Sequence, residues 1–151
     1  MASWAEIEQA DPDFAARVQS RFDAATNKVI ATLRADGAPR VSGLELKFED
    51  GEVTLGMMAG SMKLRDVRRD PRIAVHCPTS EPTSPEEWPG DAKLAGTVVA
   101  VDPPASSPFP DAGFFKLDIT EVVLTHVGTP ADHLVIETWH PGRGRQSRTR
   151  K

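Results

Sequence analysis

The chain has 151 residues, of which 39% are hydrophobic and 26% charged, and its formal net charge is −4 at neutral pH. These values are typical of one soluble globular domain, and the negative charge argues against general nucleic-acid binding. No apolar run approaches the roughly 20 residues that a membrane span needs, so we predict no membrane association.

The chain contains little that indicates metal or hydrolytic chemistry. The single cysteine, Cys77, excludes an internal disulfide, and we interpret it as a small buried hydrophobic residue. The four histidines are scattered without ligand spacing, so the sequence predicts no metal site. The acidic start lacks the order of a signal peptide, which predicts a cytoplasmic protein.

The first 25 residues carry two helix signals. Ser3 and Glu6 have the spacing of a capping box, and Asp11 followed by Pro12 is a second helix start. Apolar residues then recur every fourth position: Phe14, Val18 and Phe22. We predict a helix over about 12–25.

Seven strand candidates follow, at about 28–35, 40–49, 52–59, 72–77, 92–102, 114–128 and 133–142. Tight-turn sequences join the first three, which predicts an antiparallel meander, and Gly43 interrupts the alternation of the second strand in the manner of a bulge. A short helix is predicted at 61–70. The sequence thus predicts one mainly β domain over 1–142, a six- to seven-stranded antiparallel barrel with short flanking helices, followed by a basic flexible tail over 143–151.

The segment "AGSMK", residues 59–63, combines the features of an anion site. Ser61 is a good N-cap, and Gly60 allows close approach of the backbone. The first amides of the helix face outward at the positive end of its dipole, with Lys63 beside them, which favours binding of a phosphate. Arg40, which leads the second strand, is a candidate for a bidentate contact.

The alternative is a solvated basic helix face without a ligand. Asp66 and Asp70 are spaced so that they can pair with neighbouring arginines of the same helix. On the residue pattern alone, this interpretation is slightly favoured.

A longer pattern resembles a known family. The chain has, in this order, a strand, the hairpin "RADGAPRVS", the next strand and the segment "GMMAGSMKLRDVRRDPRIAV". This order resembles that of the flavin-binding split-barrel family, which includes pyridoxamine 5'-phosphate oxidases and deazaflavin-using relatives. The likeness covers about 26–142. Its most specific part is S-x-K followed by a basic helix ending in D-P-R, here Ser61, Lys63 and 70–72.

The resemblance implies a split barrel that forms a homodimer, with FMN or coenzyme F-420 at the subunit interface. Both cofactors carry a phosphate-bearing ribityl chain. The implied cofactor-binding residues are Arg40, Val41, Ser42, Gly56, Met57, Ser61, Met62 and Lys63. Since the chain has no tyrosine, Trp139 is the candidate aromatic residue of the cleft, with a core or dimer-interface position as the alternative.

The implied function is a flavin-dependent oxidoreductase that acts on a small organic substrate, and no catalytic side chain is singled out. The sequence "WHPGRGR" stands where the oxidases carry an R-x-H substrate motif, which argues against oxidation of a vitamin B6 compound. Two alternatives stay open: a non-enzymatic cofactor carrier, storage or sensing protein on the same barrel, and a barrel without ligand that serves as an interaction module.

Overall fold

The computed structural model describes residues 2–151. Its three α-helices are Trp4–Ala10 (α1), Pro12–Phe22 (α2) and Met62–Arg69 (α3), and a 3-10 helix spans Pro85–Glu87. The eight strands are Asn27–Leu33 (β1), Pro39–Glu49 (β2), Glu52–Met57 (β3), Arg72–His76 (β4), Asp91–Ala100 (β5), Gly113–Val127 (β6), Leu134–His140 (β7) and Gly144–Arg150 (β8). Within the described residues, no helix is long and apolar enough to cross a membrane.

All eight strands belong to one antiparallel sheet in the order β3-β2-β1-β4-β5-β6-β7-β8. A further pairing of β3 with β6 closes the first six strands into a barrel, which confirms the predicted mainly β barrel. Strand β6 is 15 residues long, and its two halves have different partners on one edge. Its first residues pair with β3, while Val122–Val127 pair with β7.

The N-terminal helices cover the barrel as their sequence signals predict. The Ser3–Glu6 capping box is present, and the Asp11 side chain accepts a hydrogen bond from the Phe14 amide at the start of α2. Apolar residues of both helices join the barrel core, with the Trp4 ring packed edge-on against Phe48 at a centroid distance of 4.8 Å. Helix α2 ends at Phe22, three residues before the predicted end.

Two predictions about the backbone are wrong. The segment 143–151 was expected to be a flexible tail, but Gly144–Arg150 form β8 and pair in continuous register with β7. Strand β8 has no apolar side chain and is held at the edge of the sheet by backbone hydrogen bonds, so the residue composition of the segment did not indicate a strand. Gly43 pairs with Val29 in unbroken register, so the predicted bulge is absent there; the described register shift lies between Ala95 and Gly96.

The buried carboxylate of Glu137 joins β7 to three other elements. Arg17 of α2 donates two hydrogen bonds to it at 2.6 and 2.8 Å, and Arg145 of β8 donates one at 2.8 Å. Nε2 of His126, in β6, lies 2.9 Å from Oε2 of Glu137. The hydrogen bonds from Arg17 are the largest cause holding the pKa of Glu137 down to about 2, against the upward effect of burial.

We expect Glu137→Gln to lower the free energy of unfolding by about 3 kcal/mol at pH 7, because it removes the buried anion to which the Arg17 and Arg145 guanidinium groups both donate. The pKa of Glu137 is lower in the folded chain than its ordinary value of 4.5. Its stabilising effect is therefore complete above about pH 4.5 and is lost as the pH falls toward 2. Urea unfolding of both proteins at several pH values measures this, and a difference that stays constant between pH 7 and pH 3 would contradict it.

Candidate functional site

Helix α3 packs on the barrel through one apolar edge. Its N-cap is Ser61, whose hydroxyl accepts a hydrogen bond from the Leu64 amide at 3.3 Å. Leu64 and Val67 are buried in the core, and between them Asp66 is buried too, at 1% exposure. A carboxylate in such a position needs partners to offset its loss of hydration.

Three side chains supply those partners. The Thr32 hydroxyl and Arg40 Nε donate to Oδ2 of Asp66 at 2.8 and 2.7 Å, and Arg69 donates to Oδ1 at 3.0 Å. Burial acts to raise the pKa of Asp66, but the hydrogen bonds from Thr32, Arg40 and Arg69 outweigh it and the pKa lies below its ordinary value. Asp66 thus joins α3 to β1 and β2.

The first turn of α3 leaves hydrogen-bond donors available. The Lys63 ammonium donates to the Gly43 carbonyl of β2 at 2.6 Å, and an ammonium group has two further donors. Across residues 2–151, no hydrogen bond is formed by the backbone amides of Met62 and Lys63, as is usual for a first helical turn. These donors lie at the positive end of the helix dipole.

Lys63 also lines a cleft of about 670 Å³ on the outer side of the barrel. The middle of β2 and the end of β3 form one part of the cleft, and the segment 108–112 before β6 forms another. The lining side chains are mainly apolar: Leu44, Met57, Met58, Pro108, Phe109, Pro110 and Phe114. Its polar side chains are Asn27, Glu45, Lys63 and Asp111.

Two glycines leave bare backbone in the cleft. A Cβ atom built on Gly43 would meet no atom within 4 Å, and Gly43 has no positive φ, so the fold does not require glycine at this position. A Cβ on Gly56 would lie 3.4 Å from the ring of Phe114. At Gly43 the missing side chain leaves open space beside the strand, whereas at Gly56 it allows the Phe114 ring to pack against the backbone.

The cleft brings together three of the predicted site residues: Gly56, Met57 and Lys63. The other residues of the motif are close in sequence but do not line it: Arg40, Val41, Ser42, Ser61 and Met62. Arg40 is turned toward Asp66, whereas Val41 and Met62 are exposed.

Trp139 lies in the core, which was the alternative to a position in the cleft. It is a core residue of β7 at 5% exposure and does not belong to the cleft lining. Its indole nitrogen is buried without a hydrogen-bond partner within the described part of the chain.

Sequence reasoning missed several cleft residues. Phe109 carried a usable signal in the sequence, because it is an aromatic residue between two prolines in a long loop. In the structure its side chain is 67% exposed. Asn27, Glu45 and Asp111 carried no such signal, since only the barrel brings them to one place.

An apolar row crosses the outer face of four strands beside the cleft. Ala31 pairs with Val41 on one side and with Ala74 on the other, and Ala74 pairs with Ala95. Directly opposed residues in a sheet point to the same face. Val41 is 70% exposed and lies two residues from Gly43, so this row, Val41–Ala31–Ala74–Ala95, borders the cleft.

No protein-family model and no curated protein matches the chain. Among solved structures, a pyridoxamine 5'-phosphate oxidase-related, FMN-binding protein from Nostoc punctiforme has 11% identity and a TM-score of 0.64, over 100% of this chain and 98% of its own. PhzG from Burkholderia lata, in complex with tetrahydrophenazine-1-carboxylic acid, has 10% identity and a TM-score of 0.65, over 97% of this chain and 92% of its own.

An F-420 reductase has 17% identity and a TM-score of 0.54, over 69% of this chain and 94% of its own. At these identities the likeness establishes the fold. The chain has the split-barrel fold of pyridoxamine 5'-phosphate oxidase-related proteins, and the resemblance found in the sequence is confirmed at that level.

Proposed function

We propose that the chain is a flavin-dependent oxidoreductase that binds FMN or F-420 in this cleft and acts on a small organic substrate. One observation carries the proposal: the free amides and the ammonium group at the start of α3 adjoin a mainly apolar cleft with two glycines. A phosphate-bearing ribityl chain and a flat ring match these two parts. The fold shared with an FMN-binding protein and an F-420 reductase supports the same class of ligand.

The phosphate end of the cofactor would be held at the start of α3. The amides of Met62 and Lys63 and the Lys63 ammonium provide both hydrogen-bond donors and positive charge. Arg40 uses Nε for Asp66, so its two terminal nitrogens remain available as donors. The Asp66 contact holds this guanidinium group in position before a ligand binds.

The ring end would lie along Gly43 and Gly56, with Phe109 and Phe114 as aromatic neighbours. A bound flavin or deazaflavin supplies the hydride or electron transfer. The chain's own residues would bind the cofactor, orient it and exclude water from one side of it. Glu45 and Asp111 are the carboxylates of the cleft, and neither needs to act as an acid or base in this proposal.

Binding should depend on Lys63 whichever cofactor is used. We expect Lys63→Ala to weaken binding of the preferred cofactor by about tenfold or more, because a hydrogen bond to a charged group contributes roughly 1.5–3 kcal/mol. Separate fluorescence titrations with FMN and with F-420 measure the effect and identify the preferred cofactor. Arg68→Ala is the matched control for FMN, since Arg68 is an exposed cation of the same helix.

Equal FMN affinity of Lys63→Ala and the wild type would contradict the assigned role of Lys63. Failure of the wild type to bind either cofactor would leave the interaction-module alternative. Turnover with a nicotinamide or reduced deazaflavin and a quinone-like acceptor separates an enzyme from a carrier, which would bind the cofactor but not turn over.

The position of the cofactor is tested by filling the cleft. We expect Gly43→Val to retain the fold, because a β-branched residue suits a strand and the added Cβ meets nothing. The same side chain would occupy the space beside Lys63 and weaken cofactor binding by about tenfold or more. Thermal unfolding and the titration are measured together, with Thr149→Val as an exposed strand control. Unchanged affinity in a folded Gly43→Val protein would place the cofactor elsewhere.

We further propose a homodimer that packs through the row Val41–Ala31–Ala74–Ala95, with the cofactor at the interface. A partly exposed apolar row beside a cleft is typical of an interaction surface. A partner on this row would cover the open side of the neighbouring cleft.

We expect light scattering to show twice the chain mass for the wild type and the mass of one chain for Ala74→Glu, because the substitution buries a charge in the interface. The variant should also lose cofactor affinity. Ala24→Glu, an exposed site after α2, is the control. A monomeric wild type, or a fully dimeric Ala74→Glu, would overturn this interface.

A further inference from the structure

A cluster of potential metal ligands lies apart from the cleft, where β4 ends and β5 begins. His76 is the last residue of β4, Cys77 follows it, and Asp91 is the first residue of β5. One ligand atom from each of the three lies within 4.8 Å of the others. The pairing of β4 with β5 brings Asp91 to the other two, which spacing along the chain does not show.

The thiol of Cys77 is held in a fixed position. Cys77 is 1% exposed, and its sulfur accepts a hydrogen bond from the Ala92 amide at 3.2 Å. Burial is the main cause that raises the pKa of the thiol, and the nearby Asp91 acts in the same direction. A metal ion that binds this sulfur displaces the thiol proton.

The ring of His76 is oriented so that one nitrogen is available as a ligand. Its Nδ1 lies 2.6 Å from the Cys77 carbonyl oxygen, which can only accept, so Nδ1 is the donor. In the neutral ring, Nε2 then presents a lone pair. Metal-binding histidines commonly use their second nitrogen in this way, donating to a backbone carbonyl.

The lone pair of His76 faces a second acceptor. Its Nε2 lies 3.6 Å from a carboxylate oxygen of Asp91, which is too long for a hydrogen bond. Each of the three residues offers one ligand atom, and no two of these atoms are more than 4.8 Å apart. A cation between them would satisfy all three, while Arg21, the nearby guanidinium, donates to the Gly90 carbonyl.

We propose that His76, Cys77 and Asp91 bind a divalent transition metal ion of the zinc type. Nitrogen, sulfur and oxygen donors in a tetrahedral arrangement suit Zn²⁺. The side chains of His76 and Asp91 are each about one-third exposed, so water has access to the fourth position. Metal binding replaces the thiol proton, which is released to solvent.

The metal would close the base of a long loop. Residues 78–90 connect Cys77 to Asp91 and contain four prolines. Ligands on both sides of the loop would fix its two ends in the folded chain. A metal ion that binds only the folded chain stabilises it by mass action.

Cobalt(II) titration of chelator-treated protein tests the site, because tetrahedral cobalt and cobalt–thiolate bonds have characteristic visible and near-ultraviolet bands. We expect one ion per chain, a thiolate-to-cobalt band and release of a proton. Cys77→Val should abolish that band. His76→Gln and Asp91→Asn should each weaken cobalt binding by at least about tenfold. Loss of a residue that only hydrogen-bonds a metal ligand already weakens metal binding by about that factor, and loss of a ligand should weaken it at least as much.

His140→Gln is the matched control, because His140 also pairs with a carboxylate, that of Glu121 at 2.9 Å, outside the cluster. Saturating Zn²⁺ should raise the midpoint of thermal unfolding of the wild type and of His140→Gln, but not of His76→Gln. Absence of a thiolate band in the wild type, or wild-type affinity in His76→Gln and Asp91→Asn, would overturn the proposal and indicate a simple His76–Asp91 ion pair. The test uses the metal alone and does not depend on flavin binding.

Discussion

The buried carboxylate of Asp66 determines how α3 sits on the barrel. Asp66 is the only acidic residue of that helix and faces inward, and it binds Thr32 of β1, Arg40 of β2 and Arg69 of its own helix. A buried charge is tolerated only when its hydrogen bonds are satisfied, so these three elements are held in a fixed relation. That relation directs the first turn of α3 toward the cleft.

The positions of its cations explain why a basic helix is stable here. Arg68 and Arg69 lie in the last turn of α3, where the helix dipole favours positive charge. In the first turn, the cation of Lys63 is bonded to the Gly43 carbonyl, so it is held by a neighbouring strand. The strand carbonyl thereby stabilises a positive charge that would have no partner in an isolated helix.

Local rules predicted what local interactions determine. The capping box at Ser3, the start at Asp11 and the approximate bounds of α3 depend on residues three or four apart, and all are present.

Strand β8 was missed because its order depends on backbone pairing with β7 and on the Arg145–Glu137 contact, which composition does not reveal. The glycine at position 43 suggested a bulge, yet the structure relates it to open space in the cleft. Trp139 faces the core because of the side of β7 on which it lies, which the sequence did not distinguish.

The segment between β5 and β6 has a consequence for how this protein can diversify. Residues 108–112 form a wall of the cleft, yet they belong to a surface connection rather than to the barrel. Surface connections tolerate insertions, deletions and exchanges of side chains far better than the strands they join. A descendant of this chain can therefore acquire a differently shaped entrance by changing a few positions there, while the barrel and the first turn of α3 stay as they are.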